Sequence, residues 1–200
     1  MAGESKTGCE FRHTIRPEVQ MTAGKDVVGL DSLVAKTSAV DATGALKHAP
    51  ISGVAFRPTR PVAHEDGVVT EVARTVWDEL DLPIVHVHLT TTLPGRVRAW
   101  GLHRTSTDRL FVVRGLVSIV LFDGRLASPT YGFVNEFRVN ERIPGLLIIP
   151  PDIYHGWKNI GTDEAFIINM PTSTYDHDHP DALDLAYDSP LASEIVPFRW

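Results

Sequence analysis

Cysteine is nearly missing from this sequence: Cys9 is the only one in 200 residues. An intramolecular disulfide is therefore impossible, and a reducing cytoplasm is the simplest compartment. Long apolar runs are missing too. None approaches the about 18–20 residues that a membrane span needs. The opening MAGESKTGCEFRHT has no apolar stretch of the kind a signal peptide carries. Excess positive charge is absent: 19 Lys and Arg stand against 25 Asp and Glu, for a formal net charge of −6 and a sequence pI of about 5.8. No basic stripe points to nucleic acid, and no Lys/Arg-rich amphipathic segment points to a membrane surface. Internal repeats and low-complexity tracts are absent as well.

What remains is the composition of a globular protein, 43% hydrophobic with ordinary charge content. Residues 1–50 are rich in Ala, Gly, Ser, Thr, Lys and Asp and read as a largely irregular arm, with one short helix over Asp26–Lys36. From Ile51 to Trp200 the texture changes to short β-rich runs between turn residues, so 51–200 forms the folded domain. The expected strands are Val68–Thr75, Ile84–Thr90, Val97–His103, Leu110–Arg114, Leu116–Phe122, Val134–Val139, Leu146–Ile149 and Ala165–Asn169. Helical pieces are expected only near Val76–Leu80 and Asp181–Leu185. Many short strands with regular turns imply an all-β sandwich or closed barrel.

Two spacings narrow the fold. Gly95 is followed at set intervals by Gly101, His103, Asp108 and Gly115. This fits the first motif of a double-stranded β-helix, the cupin jelly roll, G-x5-H-x-H-x3,4-E-x6-G, with Gly101 in place of the first His and Asp108 in place of Glu. Gly145, Pro150, Asp152, His155 and Asn159 follow the second motif, G-x5-P-x-G-x2-H-x3-N, with one residue fewer before the Pro and Asp152 in place of Gly. Side chains alternate along a strand, so Val97, Ala99, Gly101 and His103 should share the inward face while Arg98, Trp100 and Leu102 point away. His155 should enter the same cavity from the opposite strand pair.

From about Ile51 onward the chain resembles the dTDP-4-dehydrorhamnose 3,5-epimerase family of cupins, in its epimerase-related branch. The pieces that carry the resemblance include EDGVVTE (65–71), PGRVRAWGLH (94–103), TDRLFVVRG (107–115), DGRLASPTYG (123–132), IPPDIYHGWKNIG (148–161), NMPTSTYD (169–176) and PDALDLAYDSP (180–190). The resemblance implies a metal-free, cofactor-free isomerase acting on a nucleotide-linked 4-keto-6-deoxysugar. It also implies a homodimer formed by exchange of edge strands, which the arm could extend. In such chemistry a His base paired with an Asp removes a proton alpha to a ketone, a Tyr returns one from the other face, and a basic residue holds the enolate oxygen.

Carried over by position, Gly101 occupies the place of the catalytic His, and His103 falls two residues later on the same strand face, about one strand repeat (~7 Å) away. His103 is then the base. Asp188 of YDSP is either its partner or a turn-forming Asp before Ser-Pro. The acid Tyr aligns near Ile168-Asn169 and is missing there, which leaves Tyr175 of STYD as the nearest phenol. Arg98 or Arg109 could hold an oxyanion. Glu71, His86 and His155 complete the substrate-binding set, although His86 and His88 share one strand face and could bind an anion or simply pair. Two alternatives stay open. His103, Asp108 and His155 form a two-His, one-carboxylate set suited to iron or manganese, or to zinc. A non-catalytic small-molecule-binding cupin would equally explain the missing His and Tyr.

Overall fold

The computed structural model describes residues 11–12, 51–80 and 83–200. The expected helix over 26–36 and most of the arm lie outside these. Within the arm, Phe11–Arg12 (β1) pairs antiparallel with Val134–Val139 (β9).

Two antiparallel sheets face each other. One comprises β1, β9, Val117–Asp123 (β8), Ile153–Asn159 (β11), Val97–His103 (β6) and Ala182–Asp184 (β13), in that order. The other comprises Ala55–Pro58 (β2), Gly145–Ile149 (β10), Asp108–Arg114 (β7), Ala165–Asn169 (β12) and His88–Thr92 (β5), in that order. Val62–His64 (β3) and Gly67–Val69 (β4) form a separate hairpin. The double-stranded β-helix expected from the motif spacing is the fold observed.

Burial explains why the central strands are apolar on both faces. Between the sheets, Leu110 and Val112 of β7, Ile119 and Leu121 of β8, Phe137 of β9 and Ile167 of β12 form the main core. The intervening residues Val120 and Phe122 turn outward on the six-stranded sheet and are covered by Ala192, Val196, Phe198 and Trp200, which pack there with Trp100. The outer face of the five-stranded sheet carries Phe111, Leu146 and Ile148, covered by Val72, Ala73, Trp77 and Leu80. Both sheets are thus buried on two faces over much of their area, and period-two alternation gives way to continuous apolar runs such as Val117–Phe122.

The strands over 97–103, 134–139 and 165–169 have the bounds expected from sequence. Others differ. The expected strand over Val68–Thr75 ends at Val69, because the following residues cross the outer face of the five-stranded sheet instead of pairing. The expected helix over Asp181–Leu185 is β13, which pairs its residues Ala182, Leu183 and Asp184 with His103, Leu102 and Gly101 on the open edge of β6. Residues 78–80 make a single 3-10 turn. The one α-helix among the described residues, Pro190–Ile195 (α1), begins with Ser189 as N-cap and Pro at its first position. Asp152, standing where the motif has Gly, takes that residue's left-handed conformation at φ 63. Its backbone N–H donates to the His103 carbonyl at 2.7 Å, and its side chain pairs with Arg104 at 2.8 Å.

Candidate active site

A cavity of about 1050 Å³ opens between the sheets at their β6 and β5 ends. Gly101 and His103 of β6 and His155 of β11 line it from one wall. Asp108, Leu110, Asn169, Thr90 and His88 line it from the other, and residues 173–187 form its rim.

Asp108 is the centre of the polar network. It sits at the start of β7, 3% exposed. Its Oδ2 faces His155 Nε2 at 3.2 Å and His103 Nε2 at 3.4 Å, and its Oδ1 accepts from the Asn169 side-chain amide at 2.8 Å. Burial alone would raise the pKa of this carboxyl. The hydrogen bonds from His103 and His155 outweigh burial and hold it well below the usual carboxylate range. The same bond works in reverse on His103, raising its pKa against burial, with Asp181 adding to the effect.

His103 therefore lies between two carboxylates. Its Nδ1 is 3.5 Å from Asp181 Oδ2, an ion-pair distance without hydrogen-bond geometry. Asp181 in turn accepts from the backbone N–H groups of Arg104, Thr105 and Ser106 and from Thr105 Oγ1. That clamp fixes the rim to the end of β6. His155 is oriented at its other nitrogen, with Nδ1 3.1 Å from the Ile153 carbonyl oxygen, which can only accept. The two imidazoles stack with centroids 5.6 Å apart and planes 15° from parallel.

One departure from strict alternation matters here. His155 pairs with Gly101 and Trp157 with Arg98, with a register shift between His155 and Gly156. This bulge changes the phase of β6, so Arg98 joins Gly101 on the cavity face instead of pointing away. Its guanidinium lies 5.9 Å from the Trp157 ring centroid. Trp100 faces the opposite way, as alternation requires, and is buried against the C-terminal tail.

His103, His155, Arg98, His86 and Tyr175 all line the cavity. Tyr175 stands at the rim, 55% exposed, with its ring against His177. Three residues expected at the site are elsewhere. Asp188 is exposed in the turn before Ser189, the turn-forming role, and Asp108 and Asp181 flank His103 in its stead. Arg109 follows an inward-facing residue on β7 and so points outward, buried, donating to the Pro83 carbonyl at 3.3 Å. Glu71 lies past β4 on the outer face of the five-stranded sheet, exposed and paired with Arg74 at 3.4 Å. Sequence reasoning missed Asp181 and Asn169. No spacing rule points to either, because both reach the site only through the pairing of β13 with β6 and of β12 with β7.

The other wall carries a second imidazole pair, His86 and His88, with centroids 5.2 Å apart. Burial and neighbouring His86 lower the pKa of His88, and Asp108 pulls it the other way.

The three groups at Asp108 are also the set that could hold a metal, with one donor atom each from His103, Asp108 and His155 lying within 4.8 Å of one another. Bonds of about 2.0–2.2 Å place neighbouring donors about 3.0–3.6 Å apart. The two His-to-Asp separations fall in that range.

No protein-family model matches the sequence. Among curated proteins, the chain is 34% identical over 139 residues to the "Probable low-salt glycan biosynthesis epimerase Agl13" of Haloferax volcanii, covering 69% of this chain and 89% of that protein. It is 32% identical over 107 residues to the spore coat polysaccharide biosynthesis protein SpsL of Bacillus subtilis, covering 54% of this chain and 68% of that one. Among solved structures, a dTDP sugar isomerase from Desulfovibrio desulfuricans superposes with a TM-score of 0.68 at 26% identity, covering 75% of this chain and 92% of the other.

Proposed function

The chain belongs to the dTDP-4-dehydrorhamnose 3,5-epimerase family of cupins, and from that premise we propose that it is an epimerase-type isomerase moving protons on the carbon alpha to a carbonyl in a nucleotide-linked keto-deoxysugar. The observation that carries this reading is His103 held between Asp108 and Asp181 inside a cavity large enough for a sugar. A proton alpha to a ketone is weakly acidic, so its transfer needs a group of matched proton affinity and a stabiliser for the enolate oxygen.

His103 is the proton carrier. Asp108 at its Nε2 and the nearby charge of Asp181 stabilise the imidazolium formed when it takes a proton, the part assigned from sequence to Asp188, and Nδ1, which makes no hydrogen bond, is the nitrogen that exchanges it. Arg98 supplies permanent positive charge at the cavity and suits an enolate oxygen or a phosphate. His155 shares Asp108 with His103 and fixes that carboxylate in place. Tyr175 closes the rim over bound sugar. The enzyme acts in the cytoplasm as a homodimer. No helix among the described residues is long and apolar enough to cross a membrane.

The test is proton exchange in D₂O with dTDP-4-keto-6-deoxyglucose. Wild-type protein is expected to place deuterium alpha to the carbonyl, and His103→Gln to lose that exchange for protons facing the β6 wall. A wild-type protein that is thermally stabilised by the sugar nucleotide but exchanges nothing would instead be a binding protein.

A further inference from the structure

Inverting a carbon requires a proton to leave from one face and another to arrive on the opposite face. One imidazole on one wall cannot do both. Asn169 occupies the strand position where the family's tyrosine would fall. Its amide nitrogen is engaged with Asp108, and its side-chain oxygen accepts from the Arg109 backbone. Tyr175 is at the rim, not between the sheets. The proton carrier of the far wall has to come from elsewhere in the cavity.

We infer that His88 is that second proton carrier, facing His103 across the bound sugar. The register places it. On the five-stranded sheet, Leu110 pairs with Asn169 and Asn169 pairs with His88, so the three form one row across β7, β12 and β5. Strands lie about 4.8 Å apart, which puts the β5 end of this row about 10 Å from β7. Asp108, with its two histidines, stands one side-chain repeat further along β7. His88 thus lines the cavity from the five-stranded sheet, opposite the wall that carries His103. The strand alternates, with His88 and Thr90 lining the cavity and Leu89 turned outward and exposed. His86 lies beside His88 and keeps a second imidazole in contact with it.

The step balances without any co-reactant. In one direction His88 takes the proton, the C–H electron pair passes into the enolate, and the carbonyl oxygen gains the negative charge. The His103 imidazolium then gives its proton to the opposite face, a new C–H bond forms and the ketone is restored. In the reverse direction the two residues exchange parts, and solvent resets their protons between turnovers.

The inference rests on the epimerase-type reading above, and its test separates the two. Both epimeric probes, dTDP-4-keto-6-deoxyglucose and dTDP-4-dehydrorhamnose, are incubated with wild-type, His88→Gln and His103→Gln protein in D₂O. His88→Gln is expected to lose inversion by at least about 100-fold while KM changes little. It should still exchange deuterium into one epimer and not the other, with His103→Gln showing the opposite preference. Inversion by His88→Gln within threefold of wild type would overturn the assignment. So would loss of exchange from both epimers, or a defect confined to KM, each of which would make His88 a binding residue. Wild-type protein inert on both probes would sink the epimerase reading itself, and this assignment with it. Melting temperatures of the variants within about 3 °C of wild type exclude a folding defect.

Discussion

Gly101 leaves room for His155: a side-chain carbon built at position 101 would stand 3.1 Å from His155 Nε2. The two residues are direct partners across β6 and β11. The residue that looks like a lost catalytic histidine is therefore the one that lets a neighbouring imidazole occupy the space. His155 cannot retreat freely, since its Nδ1 is fixed on the Ile153 carbonyl and its Nε2 on Asp108. Gly101→Ala should shift the ring away from Asp108 by a few tenths of an ångström, with kcat falling up to about 10-fold and a stability cost of ~1 kcal/mol. Restoring the family residue with Gly101→His should lower activity further, not recover it. Steady-state kinetics and melting curves of the two variants check this, and a Gly101→His protein faster than wild type would refute it.

The His103–Asp108 pair makes stability depend on pH in two windows. Asp108 has a folded-state pKa below its unfolded one, so its contribution is present above the unfolded value near about 3.9 and is lost as pH falls toward the folded one. His103 is shifted the other way. Its contribution is complete below the unfolded value near about 6.5 and is lost as pH rises through the higher folded value. The stability gap between wild type and His103→Gln should therefore be widest near about pH 5–6 and shrink on the alkaline side. Chemical denaturation at a series of pH values measures it. A gap that grows with alkalinity would contradict the pairing.

The proton-transfer chemistry proposed here and a metal-centred one divide over the same three side chains. If His103 exchanges protons, its Nε2 is hydrogen-bonded to Asp108 and not tied up in a metal bond. Protein purified without a His tag is expected to carry no stoichiometric iron, manganese or zinc, and a chelator should leave exchange activity unchanged. Elemental analysis decides this directly. One equivalent of metal that disappears in Asp108→Ala would move the chemistry to a metal held by His103, Asp108 and His155, whose spacing allows it.

Legibility from the sequence followed sequence distance. β6, β9 and β12 were readable because each is a local apolar run bounded by turn residues, and His103 and His155 because their motifs are contiguous. The DGRLASPTYG segment was readable as a piece of resemblance, and its content is structural: the fully buried Asp123 carboxylate accepts from Arg125, from Ser128 Oγ at 2.6 Å and from Thr130 Oγ1 at 2.6 Å. Long-range partnerships were not readable. Asp181 reaches His103 across 78 residues through an edge pairing that its own sequence, read as helix, does not announce. Nor can strict alternation anticipate the bulge opposite Gly156 that brings Arg98 inward. Asp188 looked like a partner because it sits in a familiar string, yet a turn before an N-cap needs the same residue type.

Support for the catalytic wall comes from outside the cavity. Trp100 is 1% exposed on the outer side of β6, against Trp200 at 5.0 Å and Phe198 at 6.2 Å between ring centroids. Its backbone exchanges hydrogen bonds with Leu185 at 2.7 and 2.8 Å, tying β6 to the rim that carries Asp181. Truncating a buried aromatic of this size costs about 3–5 kcal/mol, and the cavity left would sit directly behind Gly101 and His103. Trp100→Ala should therefore lose stability by that amount and activity together. Removing residues 197–200 should produce a smaller loss of the same kind, since Phe198 and Trp200 are only partly buried. His103→Gln should do the reverse, losing turnover with little change in melting. Thermal melts and kinetics on the three proteins distinguish the cases. A tail-deleted protein with wild-type stability would show that the C-terminal aromatics do not hold the wall in place.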